Sequence, residues 1–347
     1  MALEDEGVLE ATIKLPVELK KSVVLVSPAL QASNNGNWHT AHRWAQFLSS
    51  HCDTALVQHW PERTAQPTAY AEPQCMVALH ARRSAPAIAA WAAAWPHKPL
   101  IVVLTGTDLY RDIHVNADAQ QSLALATHLV VLQDAGLSAL PQAWRGKARV
   151  IYQSAATLKP ARKPQRVFRA LMVGHLRDEK DPCTFMRAAI STKQSTVYFD
   201  QIGSGLDACL AAAARLTAQQ ALHYRWLGGL PRAATRQHIK RAHVLVNCSL
   251  MEGGAHVILE AVQSGTPVLA SHIDGNVGML GADYAGYFEL GHAAQLAALV
   301  QRCAGEPEFL RKLQIQCSQR APLFATALEK RLVISLVTSS IERLTVP

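Results

Sequence analysis

The stretch that constrains this chain most runs from Ser249 to Ala270, SLMEGGAHVILEAVQSGTPVLA. It reads as a strand end, a glycine turn, a helix, a glycine stop and a second strand. The mostly apolar run His243 to Cys248 supplies the incoming strand. Gly253 and Gly254 let a backbone come close to a ligand and open the helix, whose first N–H groups favour anions. Val257, Ile258, Ala261 and Val262 form the apolar face of that helix. Gly265 ends it and Pro267 stands just beyond, in the order helix stops prefer.

Two carboxylates bracket the unit, Glu252 at its mouth and Glu260 inside it. Eight residues of helix rise about 12 Å, close to the span from a hexose to a ribose across a diphosphate. On that reading Glu252 accepts from sugar hydroxyls and Glu260 from ribose hydroxyls, with the diphosphate on the helix N-terminus between them. An ordinary helix with one capping and one solvated glutamate has the same spacing.

The stretch resembles the Glu-x7-Glu motif of family 4 glycosyltransferases, and the likeness continues through Gly265-Thr266-Pro267-Val268. The resemblance implies the α/β fold called GT-B: two doubly wound Rossmann-like domains facing each other across a cleft. One position departs from the family. An aromatic usually follows the first glycine, and Gly254 stands there instead, which leaves room beside the donor sugar. A second likeness lies at Gly174-His175-Leu176-Arg177, where the family shows Gly-Arg-Leu and then Lys-Gly. Lys180 matches the phosphate-binding lysine, His175 replaces the arginine and Asp181 the glycine, and Arg177 supplies the missing charge.

Composition narrows the class. The 347 residues suffice for two domains with proper cores, and 49% apolar against 17% charged marks a globular chain. The net charge of +8 suits an anionic ligand, but the basic residues are scattered without aromatic interleaving, so no nucleic acid is expected. No apolar run reaches the length of a membrane span, and the acidic Met1 to Glu10 does not read as a signal peptide. Seven cysteines, an odd number with no Cys-x-x-Cys, fit a reducing cytoplasm. None of the fifteen histidines falls in a metal-ligand spacing and no Asp-x-Asp occurs, so neither metal nor other cofactor is expected.

Strand and helix patterns alternate along the chain. Residues 1–20 read as a flexible tail, 21–155 as an N-terminal acceptor-binding domain and 156–166, rich in Pro, Lys and Arg, as the linker. Residues 167–321 read as a nucleotide-sugar-binding domain, and 322–347 as a helix crossing back to the first. The loop after the first strand, Ser27 to Thr40, lies at the carboxyl edge of its sheet, where ligands bind. So does His80-Ala81-Arg82-Arg83-Ser84 after the third strand, with Ser84 as helix cap. Thr105-Gly106-Thr107-Asp108 follows the fourth.

From Ser27-Pro28-Ala29 to Met251-Glu252-Gly253-Gly254-Ala255-His256, the chain is most similar to one branch of family 4, the selenosugar synthases of selenoneine biosynthesis. This resemblance implies a UDP-sugar donor (UDP-N-acetylglucosamine or UDP-glucose), selenophosphate as acceptor and a carbon–selenium bond as product. It implies a selenophosphate synthetase and a selenoneine synthase as functional partners. The catalytic set is then Glu252, Lys180 and Arg177. The donor contacts are Gly36, Gly174, His175, Arg177, Lys180, Glu252, Gly253, Gly254, Ala255 and Glu260. Asn35, Asn37, His80, Arg82 and Thr107 would hold the acceptor, with Arg83 on the solvated start of the next helix. A hydroxyl acceptor, a UDP-N-acetylglucosamine epimerase and a non-catalytic nucleotide-sugar-binding protein stay open.

Overall fold

The computed structural model describes residues 20–30, 36–61 and 72–343. The N-terminal tail up to residue 19, Asn35 and residues 344–347 lie outside the described residues. Strands β1 (Lys21–Val26), β2 (Cys52–Val57), β3 (Cys75–Leu79), β4 (Leu100–Leu104), β5 (His128–Val131) and β6 (Ala148–Val150) form one sheet. Its order is β2-β1-β3-β4-β5-β6. Strands β7 (Phe168–Val173), β8 (Val197–Ile202), β9 (Tyr224–Trp226), β10 (Val244–Asn247), β11 (Val268–Ser271) and β12 (Tyr287–Phe288) form the other. Its order is β12-β11-β10-β7-β8-β9.

Every strand pair is parallel; Val23 of β1, for example, stands opposite Thr54 on one side and Cys75 on the other. A parallel sheet is covered by helices on both faces, so its central strands are continuous apolar runs. Cys75–Leu79 and Leu100–Leu104 are buried at every residue. In the first sheet the chain leaves β1 for β2 on one side and then places β3 on the other. In the second it builds β8 and β9 on one side of β7 and returns to place β10 on the other. Each reversal opens a crevice at the carboxyl ends of the strands, the place where open α/β sheets bind ligands.

Three local expectations change. Ser84 stands at the N-cap of helix Ala85–Ala94, but its hydroxyl donates to the Leu79 carbonyl at 2.6 Å rather than capping. The stretch Ser271–Asn276 is loop only at its start, because helix Asp274–Leu280 begins within it. Pro322 sits in a 3₁₀ turn, Ala321–Phe324, and extended Ala325 separates that turn from the last helix, Thr326–Glu342.

The last helix packs on the first sheet: its Val333, Val337 and Ile341 join Val23, Leu25, Trp44 and Leu79 in one core. One polar contact anchors it there. Glu329 is fully buried, and its Oε1 accepts from Arg43 Nη2 at 2.9 Å and Trp44 Nε1 at 2.8 Å. Its Oε2 accepts from Arg43 Nε at 2.8 Å, the Ser154 N–H at 2.8 Å and the Ser154 hydroxyl at 2.5 Å. A buried carboxylate is tolerated only when paired and hydrogen-bonded in this way. Removing it strands the Arg43 guanidinium, whose side chain is 13% exposed. Glu329→Ala is therefore expected to cost about 3–5 kcal/mol of stability, with Glu329→Gln costing less. Urea unfolding of the three proteins measures the difference.

Candidate active site between the two sheets

A cleft of about 660 Å³ lies between the carboxyl edges of the two sheets and is lined from both sides. From the first sheet, Gly36, Asn37, His39 and Thr40 reach it. The helix after β1 starts at Gly36, so Gly36 and Asn37, expected in a loop, form its first turn.

His80 follows β3 with a φ of +71°, a left-handed backbone that costs a non-glycine residue about 1–3 kcal/mol. The conformation is held locally. Nδ1 of His80 accepts the Arg83 N–H at 3.3 Å, which leaves the ring proton on Nε2 to donate to Thr107 Oγ1 at 3.1 Å. Asp108 clamps the neighbouring turn: its Oδ1 accepts the N–H groups of Thr105 and Gly106 and its Oδ2 that of Ala81, each at 2.9 Å.

The expected placements of Arg82 and Arg83 exchange. Arg82 Nε donates to Asp112 Oδ2 at 2.7 Å, which holds the side chain away from the cleft. Arg83, expected on the solvated helix start, lines it. In the tight turn after β3, Arg82 is drawn to Asp112 on the segment that follows β4.

On the other side, Gly174, His175, Arg177 and Lys180 reach the cleft from the end of β7. Asp181, which stands in for a glycine, adopts a left-handed φ of +42°. It also caps the next helix, its Oδ1 accepting the Thr184 N–H at 3.2 Å ahead of Pro182. His175 Nδ1 accepts the Ser204 N–H at 3.2 Å. The Nε of Arg177 is buried and has no hydrogen-bond partner among the described residues. Lys180 Nζ donates to Glu252 Oε1 at 2.5 Å, and the Ser249 hydroxyl donates to the same oxygen at 2.6 Å.

The glycine turn differs from expectation in two ways. Helix His256–Val262 has seven residues and Ala255 is its N-cap, so Gly253 and Gly254 precede it rather than open it. The 12 Å helical rise therefore does not apply between Glu252 and Glu260. Ala255 is buried behind the loop, outside the cleft lining, while Gly253 and Gly254 line the cleft. Gly254 does not leave room either. A Cβ there would lie 2.8 Å from the Cβ of Leu132, because the first sheet closes onto this loop. At Gly253 a Cβ would meet the Thr105 carbonyl carbon and oxygen at 2.5 Å. Only glycine permits so close a backbone approach between the halves.

Glu260, buried at 7% exposure, accepts from Arg232 Nη2 at 3.2 Å and Nε at 3.3 Å. Arg232, His39, His256, Gln153 and Arg83 are cleft residues that sequence reasoning missed. Arg232 alone carried a usable signal, as the first residue after helix-opening Pro231. His256 Nε2 accepts from Arg43 Nη1 at 3.2 Å, so a residue of the first half touches the first turn of the second half's helix.

Burial, with Arg232 and Arg43 nearby, pushes His39 down to about 4. The same causes hold His256 well below the usual histidine range, and burial also lowers His80. All three rings are neutral at pH 7. Among the described residues, no group of three or more His, Cys, Asp and Glu side chains is arranged to hold a metal ion.

HepE of Anabaena, solved in complex with UDP-glucose, superposes with a TM-score of 0.73 at 15% identity, covering 92% of this chain and 99% of that one. Sucrose-phosphate synthase of Thermosynechococcus elongatus gives 0.73 at 15% identity over the same shares. The fold is GT-B. Residues 155–321, the second half of this GT-B chain, match the family described as glycosyl transferases group 1. A curated relative, glycosyltransferase 1 domain-containing protein 1 of Xenopus tropicalis, is 29% identical over 145 residues. That match spans 41% of this chain and 42% of the relative's length.

The neutral histidines set a pH dependence for the GT-B cleft. Unfolded His39 has the ordinary value near 6.5, so the unfolded chain takes up the proton first on acidification. The stability that neutral His39 permits is complete above pH 6.5 and is lost as pH falls to about 4. Melting temperatures measured over this window are expected to fall less steeply for His39→Asn than for the parent protein.

Proposed function

We propose that this chain transfers a sugar from a UDP-sugar, UDP-N-acetylglucosamine or UDP-glucose, to selenophosphate in the cytoplasm. The observation that carries the donor half is the arrangement along one cleft. Lys180 is bonded to Glu252 next to the Gly253–Gly254 loop, Arg232 is bonded to Glu260, and Arg177 lines the same cleft. Glu260, with one oxygen turned to Arg232, suits a ribose diol. The cations and loop N–H groups suit a diphosphate. The group 1 match and the UDP-glucose held by HepE support the same donor class.

In the reaction the selenium–C1 bond forms, the bond from C1 to the diphosphate oxygen breaks, and UDP leaves with the electron pair. Lys180 and Arg177 meet the charge that grows on the leaving group, so the reading assigns no metal or other cofactor. Lys180 here balances Glu252; a diphosphate oxygen beside it draws the ammonium over and leaves Glu252 to accept from sugar hydroxyls. A selenium nucleophile that is already an anion needs no general base. This agrees with His80, whose Nδ1 is engaged by the Arg83 N–H and whose Nε2 carries the proton. Asn37, Thr107 and Arg83 supply the donors for a small anion, and His80, by donating to Thr107 Oγ1, leaves the Thr107 hydroxyl proton free to point at it. A selenophosphate synthetase would supply the acceptor and a selenoneine synthase would consume the product.

Release of UDP from each UDP-sugar, with and without selenophosphate, tests the reading; release indifferent to selenophosphate would return the acceptor to a hydroxyl or to water. Lys180→Ala is expected to lower kcat more than it raises the donor KM, because the charge it meets grows in the transition state. Glu260→Ala is expected to weaken UDP binding by about 1.5–3 kcal/mol in calorimetry, the worth of a hydrogen bond to a charged group. Arg83→Ala should raise the selenophosphate KM with little change in UDP-sugar binding, and Arg83→Lys should restore only part. Arg82→Ala is the control, expected to act on stability through Asp112 and to leave that KM nearly unchanged.

A further inference from the structure

We infer that Gln153 reads the transferred sugar, its side-chain carbonyl accepting a hydrogen bond from a sugar hydroxyl or amide N–H. The inference rests on the donor reading above and adds a specificity-determining residue to it. Gln153 follows β6 at the carboxyl edge of the first sheet, is 3% exposed and lines the cleft.

A short chain of hydrogen bonds sets its orientation. The Thr40 hydroxyl spends its one proton on the Gly36 carbonyl, at 2.8 Å. Thr40 Oγ1 therefore meets Gln153 only as an acceptor, and it takes its hydrogen bond from Gln153 Nε2. Turning the amide over would set carbonyl oxygen against hydroxyl oxygen with no proton between them. With the Thr40 proton on the Gly36 carbonyl, the amide stands with Oε1 on the far side.

That Oε1 is buried and has no partner among the described residues. It lies 3.4 Å from the point where a Cβ on Gly254 would stand, so it faces the Glu252–Gly254 loop across the interface. A buried, unpaired carbonyl is expensive, and its natural complement is a ligand that brings a donor. The chemistry of a UDP-sugar narrows which part does so. The diphosphate offers only acceptors and would be repelled. The ribose is assigned to Glu260. The hydroxyls of the transferred sugar, or its N-acetyl N–H, remain.

Isothermal titration of the full chain with UDP, UDP-glucose and UDP-N-acetylglucosamine tests this, comparing the parent protein with Gln153→Leu and Gln153→Glu. Gln153→Leu is expected to weaken at least one UDP-sugar roughly tenfold, the usual worth of one such bond, while UDP affinity stays unchanged. Gln153→Glu keeps an acceptor oxygen in the cleft once the Thr40 hydroxyl turns its proton from the Gly36 carbonyl to the new carboxylate, and should recover most of the loss, which a purely structural role would not allow. Deoxy analogues of the affected UDP-sugar identify the hydroxyl: the critical one should lose about the same factor on the parent protein and nothing further on Gln153→Leu. Equal UDP-sugar affinities for parent and Gln153→Leu, or a parallel loss of UDP affinity, would overturn the inference and leave the donor reading standing. A parent protein that binds neither UDP nor the UDP-sugars would overturn both. If Gln153→Leu fails to fold, the deoxy series on Gln153→Glu decides, since without a sugar contact that variant would weaken every analogue in the proportion the parent does.

Discussion

Glu329 is the interaction on which the arrangement of this cleft depends. A carboxylate with no exposure must find its hydrogen bonds inside the protein, and it finds them on two other parts of the chain. Arg43 and Trp44 belong to the helix after β1, Ser154 to the start of the crossover between sheets, and Glu329 itself to the last helix. Because the cost of an unpaired buried charge is high, these parts hold one relative placement. The effect reaches the other half. Arg43, oriented by two bonds to Glu329, directs Nη1 to His256 at the first turn of the helix that carries Glu260. Burial and the neighbouring arginines keep His256 neutral, which is the state that accepts this bond.

The second constraint is steric. The Thr105–Gly106 turn meets Gly253 backbone to backbone, and Gly106 takes a φ of +144° to do so. A side chain on either glycine would wedge the halves apart. With them in contact, Leu132 and Gln153 of the first half border the same loop that holds Glu252. The site is thus a joint product of both sheets, with its cations distributed on both sides. Within the cleft Lys180 is held on Glu252 and Arg232 on Glu260, so these two cations are already oriented by carboxylates.

Much of this was legible beforehand because the signals are local. Parallel strands buried on both faces must be apolar runs, so β1, β3, β4, β7 and β10 announce themselves. Gly174 to Lys180 and Glu252 to Glu260 were readable as spacing, and the structure brings both stretches into one cleft. What failed was finer. The helix after the glycine pair starts at His256, since residues 252–255 turn to meet the opposite half before helical bonding begins. The choice between Arg82 and Arg83 was lost because the deciding partner, Asp112, lies 30 residues away. Gln153 and His39 carry no motif, and only proximity marks them.

By itself the sequence determined the alternation of strand and helix, the two carboxylates Glu252 and Glu260, and the lysine that faces one of them. These follow from side-chain chemistry and periodicity, which act over a few residues. The tertiary structure alone decided which arginine enters the cleft, that Gly254 is a contact point rather than an opening, and that Gln153 presents an oxygen with no partner. Each of these depends on a group distant in the chain: Asp112 for Arg82, Leu132 for Gly254, Thr40 for Gln153. Packing sets such pairs when the two halves close on each other, and no local propensity encodes them.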